Sequence, residues 1–213
     1  LGAVIGKKLG SYWEVPVIEG VEGTPSSDQM KHFGSAMASY GSTALFHLIG
    51  ITPEASKISD VCGKKLVVEE VKKGELNDMR ASFQGSGDEL DVVVFSAPQL
   101  SLIEIQNISM LCDGTKLKAP MLICTSPQVY ADALRMNIIE KIEASGAKVL
   151  KGTCFYNQYA REIGEANGWK RLMTNSAKLA NIIGGYGYDP ILASIEECFA
   201  SAVAGKVKLK KCR

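Results

Sequence analysis

From Leu90 onward, four short apolar runs each end in a cluster of small polar residues, and this repetition limits the possible folds more than any other feature. Leu90 to Phe95 leads into Ser96-Ala97-Pro98-Gln99-Leu100-Ser101, and Ala119 to Ile123 leads into Cys124-Thr125-Ser126. Lys148 to Leu150 leads into Gly152-Thr153-Cys154, and Trp169 to Met173 into Thr174-Asn175-Ser176. Apolar runs of this length, bounded by Gly, Pro and small polar residues, read as strands buried on both faces. Helical spacing lies between and after them: a helix through Leu111, one from Pro127 to about Ser145 closed by Gly146, and a short one over Ala177 to Ile183. Strand, turn and helix alternate at least three times between Leu90 and Ala204. That alternation predicts a three-layer α/β fold, a mainly parallel sheet with helices on both faces and right-handed crossovers. The polar turns then share the carboxyl edge of the sheet, where open α/β folds bind ligands.

The pattern upstream is looser. Residues 1 to 25 carry five glycines, and Glu14 to Ile18 reads as an edge strand because Pro16 has no N–H for a central ladder. Thr24 to Asp28 supplies capping oxygens for a helix from about Asp28 to Tyr40, with Met30, Phe33, Met37 and Tyr40 on its buried face and Gly41 at its end. Thr43 to Ile49 reads as a strand covered on both faces, interrupted near its end by His47. Lys65 to Val71 reads as another strand, Asn77 to Phe83 as a turn or two of helix, and Pro190 as the opening of a last helix, Ile191 to Ala204. The central strands of one sheet are expected near 43–49, 91–95, 120–124 and 148–151. The charged stretch 72–87 is the expected place for a soft boundary.

Composition removes several classes of function. With 24 Lys and Arg against 23 Asp and Glu, the net charge of +1 does not suit phosphate-driven nucleic-acid binding. No apolar run reaches the roughly 18 residues of a membrane span. The six cysteines form no CxxC pair, and Cys112 and Cys124 sit in apolar runs, which fits reduced thiols in the cytoplasm. No GxGxxG opens a helix after a strand, and no phosphate loop or GxSxG elbow is present. Two histidines, His32 and His47, are too few for a His-rich zinc site. The opening LGAVIGKKLG has no leader pattern and reads as the middle of something, so a piece of a larger enzyme is expected.

Cys154 in one turn, and Asn175, Ser176 and Lys178 at another, bring a thiol, an amide, a hydroxyl and an amine to one sheet edge. A plainer reading remains open beside this one. Ser126, Asn175 and Ser176 each precede a helix and suit N-capping, and Cys154 suits a half-buried position in an ordinary loop.

Several stretches together resemble the aconitase X family: PVIEG (16–20), SAMASYGSTALFHLIGITPEA (35–55), CTS (124–126), GAKVLKGTC (146–154) and TNSAKLAN (174–181). They occur in family order and span most of the chain, corresponding to the carboxyl-terminal half of the catalytic large subunit. The resemblance implies an aconitase-like domain and a hydro-lyase acting on a small hydroxy acid, phosphomevalonate or cis-3-hydroxy-L-proline. It implies an iron–sulfur cluster, held by thiolates, as the Lewis acid that takes the leaving hydroxide. Cys154 matches a cluster cysteine. Gly152 stands where the family usually has Asp, and Ala97-Pro98-Gln99-Leu100-Ser101 stands where members carry Pro-His-x-Ser, in some with a cysteine before the proline. One matched thiolate is too few for a cluster, so the remaining half of the large subunit and the small swivelling domain are the expected partners. Dehydration needs a base, an acid and anion holders. The expected catalytic residues are Ser126, His47, Glu54 and Lys178, and the expected substrate-binding residues are Thr125, Asn175, Ser176 and Ser101. The alternative, favoured by Ala97, Gln99 and Gly152, is a degenerate, non-catalytic α/β domain that binds a small acid or a partner chain.

Overall fold

A computed structural model describes residues 1–63, 66–85 and 87–210, and the chain divides into two units, Leu1–Met79 and Arg80–Arg213. The first unit holds α1 (Gly2–Lys8), β1 (Val17–Ile18), α2 (Ser27–Gly41), β2 (His47–Leu48), α3 (Ile58–Val61) and the start of α4 (Lys73–Ala81). Ser26 caps α2 by accepting from the Gln29 amide at 3.2 Å, while the Gln29 side chain accepts from the Ser26 amide at 2.8 Å. α1 lies against α2 through glycines. A Cβ on Gly6 would stand 3.0 Å from the Met37 carbonyl oxygen and 3.1 Å from the Gly41 nitrogen, so only bare backbone permits this approach.

The glycine-spaced opening, to which the sequence pattern assigns no element, is a helix, because tight packing on α2 compensates for glycine's poor helix propensity. Two other expectations for this unit need correction. Thr43 to Ile49 is no central strand of a larger sheet. Only His47 and Leu48 pair, in parallel with Val17 and Ile18 in a separate two-stranded sheet. His47 N donates to Pro16 O at 3.0 Å, but Pro16 has no N–H to donate in return, so the ladder stops there. The expected strand at Lys65 to Val71 has no ladder over 66–71, and residues 64 and 65 lie outside the described residues. Strand propensity needs a neighbouring strand to pack against, and residues 66–71 pair with none among the described residues.

The second unit adds β3 (Val92–Leu100), α5 (Leu102–Cys112), β4 (Met121–Thr125), α6 (Pro127–Arg135), α7 (Ile138–Ala144), β5 (Lys148–Lys151), α8 (Ala160–Asn167), β6 (Arg171–Thr174), α9 (Ala177–Ile183), β7 (Asp189–Leu192) and α10 (Ile195–Ala204). Its five strands lie in the order β5-β4-β3-β6-β7, and every pair is parallel. Alternation along β3 makes the two layers visible. Val93 and Phe95 pack with Ile105, Ala133, Ile139 and Cys198 of α5, α6, α7 and α10. Val92 and Val94 pack on the opposite face with Ala160, Leu179 and Ile183 of α8 and α9. The fold is therefore the expected α/β layering, a mainly parallel sheet with helices on both faces.

Three details of this unit depart from the sequence reading. The stretch 127–145 is two helices, broken where Asn137 takes a left-handed φ of 56°. Ser96 to Leu100 is not a free turn but the continuation of β3, with a register shift between Phe95 and Leu100. Pro190 does not open a helix. It sits in β7, an edge strand with one neighbour, where a missing N–H costs nothing, and α10 starts later at the Ser194 cap. Among the described residues, no helix is long and apolar enough to cross a membrane.

Candidate functional site

In the order β5-β4-β3-β6-β7 the chain starts in the middle of the sheet, winds outward to β5, then returns to the other side of β3. Winding reverses between β3 and β6, and ligand crevices form at such a switch point outside the carboxyl ends of the strands. At those ends lie Ser96 to Leu100 in the last part of β3 and Ser101 after it, then Ser126, Gly152 to Cys154, and Asn175 with Ser176.

Most of the hydroxyls here are already occupied. Ser126 accepts from the Val129 amide at 3.1 Å and so caps α6. Ser101 accepts from the Glu104 amide at 3.2 Å, and Glu104 accepts from the Ser101 amide at 2.9 Å. Ser176 accepts from the Leu179 amide at 3.0 Å and donates to the Ala97 carbonyl, which bridges the switch point. Thr125, fully buried, donates to the Leu100 carbonyl at 2.7 Å and fastens the extended end of β3 to β4. These bonds hold the edge in shape, as capping chemistry predicts for serine before a helix.

Two residues outside the expected set organise the Cys154 turn. Buried Ser96 accepts from the Phe155 amide at 3.1 Å, and its Oγ lies 3.5 Å from Cys154 Sγ. Gln99 donates from Nε2 to the Thr153 carbonyl at 2.8 Å. Ser96 and Gln99 were visible in the sequence as residues just past an apolar run, but the register shift that turns them toward the Cys154 turn was not. Two buried polar atoms at this edge, Thr153 Oγ1 and Asn175 Oδ1, have no hydrogen-bond partner among the described residues. Buried polar groups are normally paired, so each is a place for a ligand group or water. Lys178 stands half-buried in the first turn of α9.

His47 and Glu54 belong to the first unit and pair with each other, Nδ1 to Oε1, at 2.6 Å. The Glu54 carboxyl is held below its ordinary range by its own backbone amide first, then by His47.

The donor set does not by itself fit an iron–sulfur cluster. Among the described residues, no group of three or more His, Cys, Asp or Glu side chains stands where it could hold a metal ion. Burial pushes the Cys124 thiol up, the Ser96 hydroxyl offsets part of this, and the neighbouring Cys154 adds a smaller rise. Burial likewise raises Cys112 and Cys198. With Cys62 and Cys154 part-exposed and Cys112, Cys124 and Cys198 buried, an aromatic disulfide reagent is expected to label the first two in the native chain. The other three should react only on unfolding. Labelling of Cys124 as fast as Cys154, followed by peptide mapping, would show the edge to be more open than this.

Comparison with known proteins bears on the whole chain. Residues 90–204 match the family model described as the aconitase X third domain, and residues 1–82 the one described as the aconitase X second domain. The phosphomevalonate dehydratase large subunit of Methanothermobacter thermautotrophicus is 33% identical over 87% of this chain and 44% of its own length. That of Thermococcus kodakarensis is 32% identical over 95% of this chain and 50% of its own. The cis-3-hydroxy-L-proline dehydratase of Hypocrea jecorina is 30% identical over 85% of this chain and 31% of its own. The crystal structure of Thermococcus kodakaraensis aconitase X in its holo-form superposes with a TM-score of 0.81 at 28% identity, covering 94% of this chain and 50% of that one. The chain thus spans half or less of the length of these curated relatives.

Proposed function

This chain belongs to the aconitase X family, and from that membership we propose that it is the carboxyl-terminal part of the catalytic subunit of a hydro-lyase. The substrate is a small hydroxy acid of the phosphomevalonate or 3-hydroxyproline class. What supports the reading is the carboxyl edge of the five-stranded sheet, where Ser101, Thr125, Ser126, Cys154, Asn175 and Ser176 lie at or just past the ends of β3, β4, β5 and β6. The roles follow from chemistry. Lys178, as a point charge, and the Asn175 amide hold the substrate carboxylate or phosphate. Ser126 offers its hydroxyl to the leaving oxygen, while Thr125, Ser176 and Ser101 shape the edge through the bonds already described. In the first unit, His47 held by Glu54 is the proton-transfer pair. The family implies an iron–sulfur cluster. The donors among the described residues do not suffice for one, so Cys154 is the thiolate this reading assigns to it, and the remainder of the large subunit and the small swivelling domain are its partners. The cysteine usage, without CxxC pairs, supports a cytoplasmic location.

A second reading, a non-catalytic domain that binds a small acid or a partner chain, draws on Gln99. Its amide serves as a tether to the Thr153 carbonyl, at the position where the family pattern has a histidine. Iron content and turnover separate the two. Produced with the rest of the subunit and the small domain, the chain is expected to hold iron and to eliminate water from phosphomevalonate or cis-3-hydroxy-L-proline, detected as the dehydrated acid by mass spectrometry. The isolated chain is expected to do neither. Cys154→Ser is expected to remove the iron from the assembly. Full iron and turnover in that variant would overturn the assignment of Cys154, and a colourless, inactive assembly after anaerobic reconstitution favours the non-catalytic reading.

A further inference from the structure

We propose that Ser96 and Gln99 are positioning residues for Cys154: together they hold its turn, and the sulfur itself, in one place through the chain's own hydrogen bonds. The proposal rests on the reading of Cys154 as the thiolate of the proposed site. Cys154 stands between two tethers. On one side the Thr153 carbonyl accepts from Gln99 Nε2 at 2.8 Å, and on the other the Phe155 amide donates to Ser96 Oγ at 3.1 Å. Two main-chain bonds complete the turn. The Gly152 amide donates to Thr125 O at 2.8 Å, and the Asn157 amide to Cys154 O at 3.0 Å. Each residue from 152 to 155 therefore has a main-chain group fastened, and the two fastenings next to Cys154 both come from β3 side chains.

Two features mark the pair as built for this turn. Side chains three apart on a regular strand point to opposite faces, so a regular β3 would not bring Ser96 and Gln99 to the same turn. They meet there because β3 shifts register between Phe95 and Leu100, with Ala97 held at a left-handed φ of 52°. Irregularities of this kind re-aim side chains, and strained backbone persists only where its surroundings hold it. The second feature is the chemistry of Ser96. A hydroxyl has one proton and two lone pairs. One lone pair takes the Phe155 amide, which leaves the rest of the hydroxyl for Cys154 Sγ, 3.5 Å away. Ser96 is 1% exposed and Phe155 2%, so bulk water replaces neither bond once the hydroxyl is removed. Cys154 packs at the rim of the apolar layer that holds Val92 and Val94. Loss of either tether lets the turn move off that layer and bares the sulfur.

The test measures alkylation of Cys154 by iodoacetamide in the 213-residue chain, at one pH and with a metal chelator present, read by mass spectrometry of the peptides. Part-exposed Cys62, in the first unit, is the internal reference, and buried Cys112 and Cys198 report folding of the second unit. Gln99→Glu keeps the size of the side chain but offers no donor to the Thr153 carbonyl, and Ser96→Ala leaves the Phe155 amide unpaired. Each is expected to raise the rate at Cys154 relative to Cys62 by about tenfold, the order that follows from stranding one buried polar group. Because either loss frees the same turn, the double variant should exceed the faster single by no more than about twofold. Ser96→Thr, which keeps the hydroxyl, is expected to retain the parental rate. Cys112 and Cys198 should stay unlabelled throughout. If they react in Ser96→Ala, the half-buried Gln99 position decides the matter alone. A Gln99→Glu rate within about twofold of the parent, a double variant that multiplies the two single effects, or a Ser96→Thr chain that behaves as Ser96→Ala overturns the proposal. Alkylation is read with no metal present. An assembly that fails to take up iron or to turn over therefore leaves the positioning role standing, and unchanged alkylation overturns that role whatever the iron content.

Discussion

Glu197→Gln is expected to cost the second unit about 3 kcal/mol of stability at neutral pH, the low end for opening a buried charge network. Glu197 is 4% exposed at the start of α10, yet its carboxylate has three donors. The Ser194 amide donates to Oε2 at 2.9 Å, the Lys210 amide to Oε1 at 2.9 Å, and Arg80 Nη2 reaches the two oxygens at 2.9 and 2.7 Å. Arg80 is 38% exposed, so solvent screens the ion pair, and the larger share of the loss comes from the two backbone N–H groups. Glutamine keeps one acceptor and turns an NH2 group toward a buried N–H, leaving donors unsatisfied at about 1–3 kcal/mol each.

The pH dependence has a definite sign. Burial alone would raise the Glu197 carboxyl, but the Ser194 and Lys210 amides and the Arg80 guanidinium outweigh it and hold the group below its ordinary value. A depressed folded-state value stabilises the fold above the unfolded value of about 4.3, and that contribution is lost as pH falls through the folded value. The gap between parent and Glu197→Gln in urea unfolding should therefore be widest near neutrality and close on acidification. A loss under about 1 kcal/mol at neutral pH, or a gap indifferent to acid, would contradict this account.

Gly41→Ala in the first unit is expected to lose about 3 kcal/mol, the upper end for overpacking. A Cβ at Gly41 would fall on the Gly6 carbonyl oxygen, 2.8 Å from Gly6 Cα and 2.9 Å from its carbonyl carbon. Both partners are backbone of packed helices, so no flexible side chain can yield. Gly74→Ala in α4 is the control, because nothing lies within 4 Å of its Cβ position. There the same change should gain about 0.5–1 kcal/mol, the helix propensity of alanine over glycine. Thermal unfolding followed by circular dichroism reads both. Equal effects of the two substitutions would mean that the α1–α2 crossing is looser than the backbone contacts indicate.

Local chemistry accounts for what could be read directly. DVVVF before a polar turn made β3 legible, and Ser126 and Ser176 were recognisable as caps because a serine oxygen before a helix has one obvious donor to accept from. Asn175, which suited capping equally, caps nothing because Ser176 stands at the α9 N-cap, and Ser101 is a cap the sequence reading did not name. That cysteine, amide and amine follow strand ends was equally local. The roles first imagined for several hydroxyls were not so easily read. Thr125 donates to Leu100 and Ser176 to Ala97, contacts that exist only once β3 lies between β4 and β6.

The sequence by itself determined the cores of β3 to β6 and most helices of the second unit, the caps at Ser126 and Ser176, and that the polar turns share one edge. Tertiary structure alone decided the order β5-β4-β3-β6-β7 and hence the switch point between β3 and β6. It decided that Pro190 lies on an edge strand, and that a glycine-rich opening is a helix seated on α2. It also left His47 and Leu48 in a two-residue pair apart from the main sheet. The physical reason is common to all of these. Propensity and capping are settled within a few residues of chain, whereas the choice of a strand's neighbour depends on which distant surfaces bury each other, and a run of apolar residues reads the same whichever partner covers it.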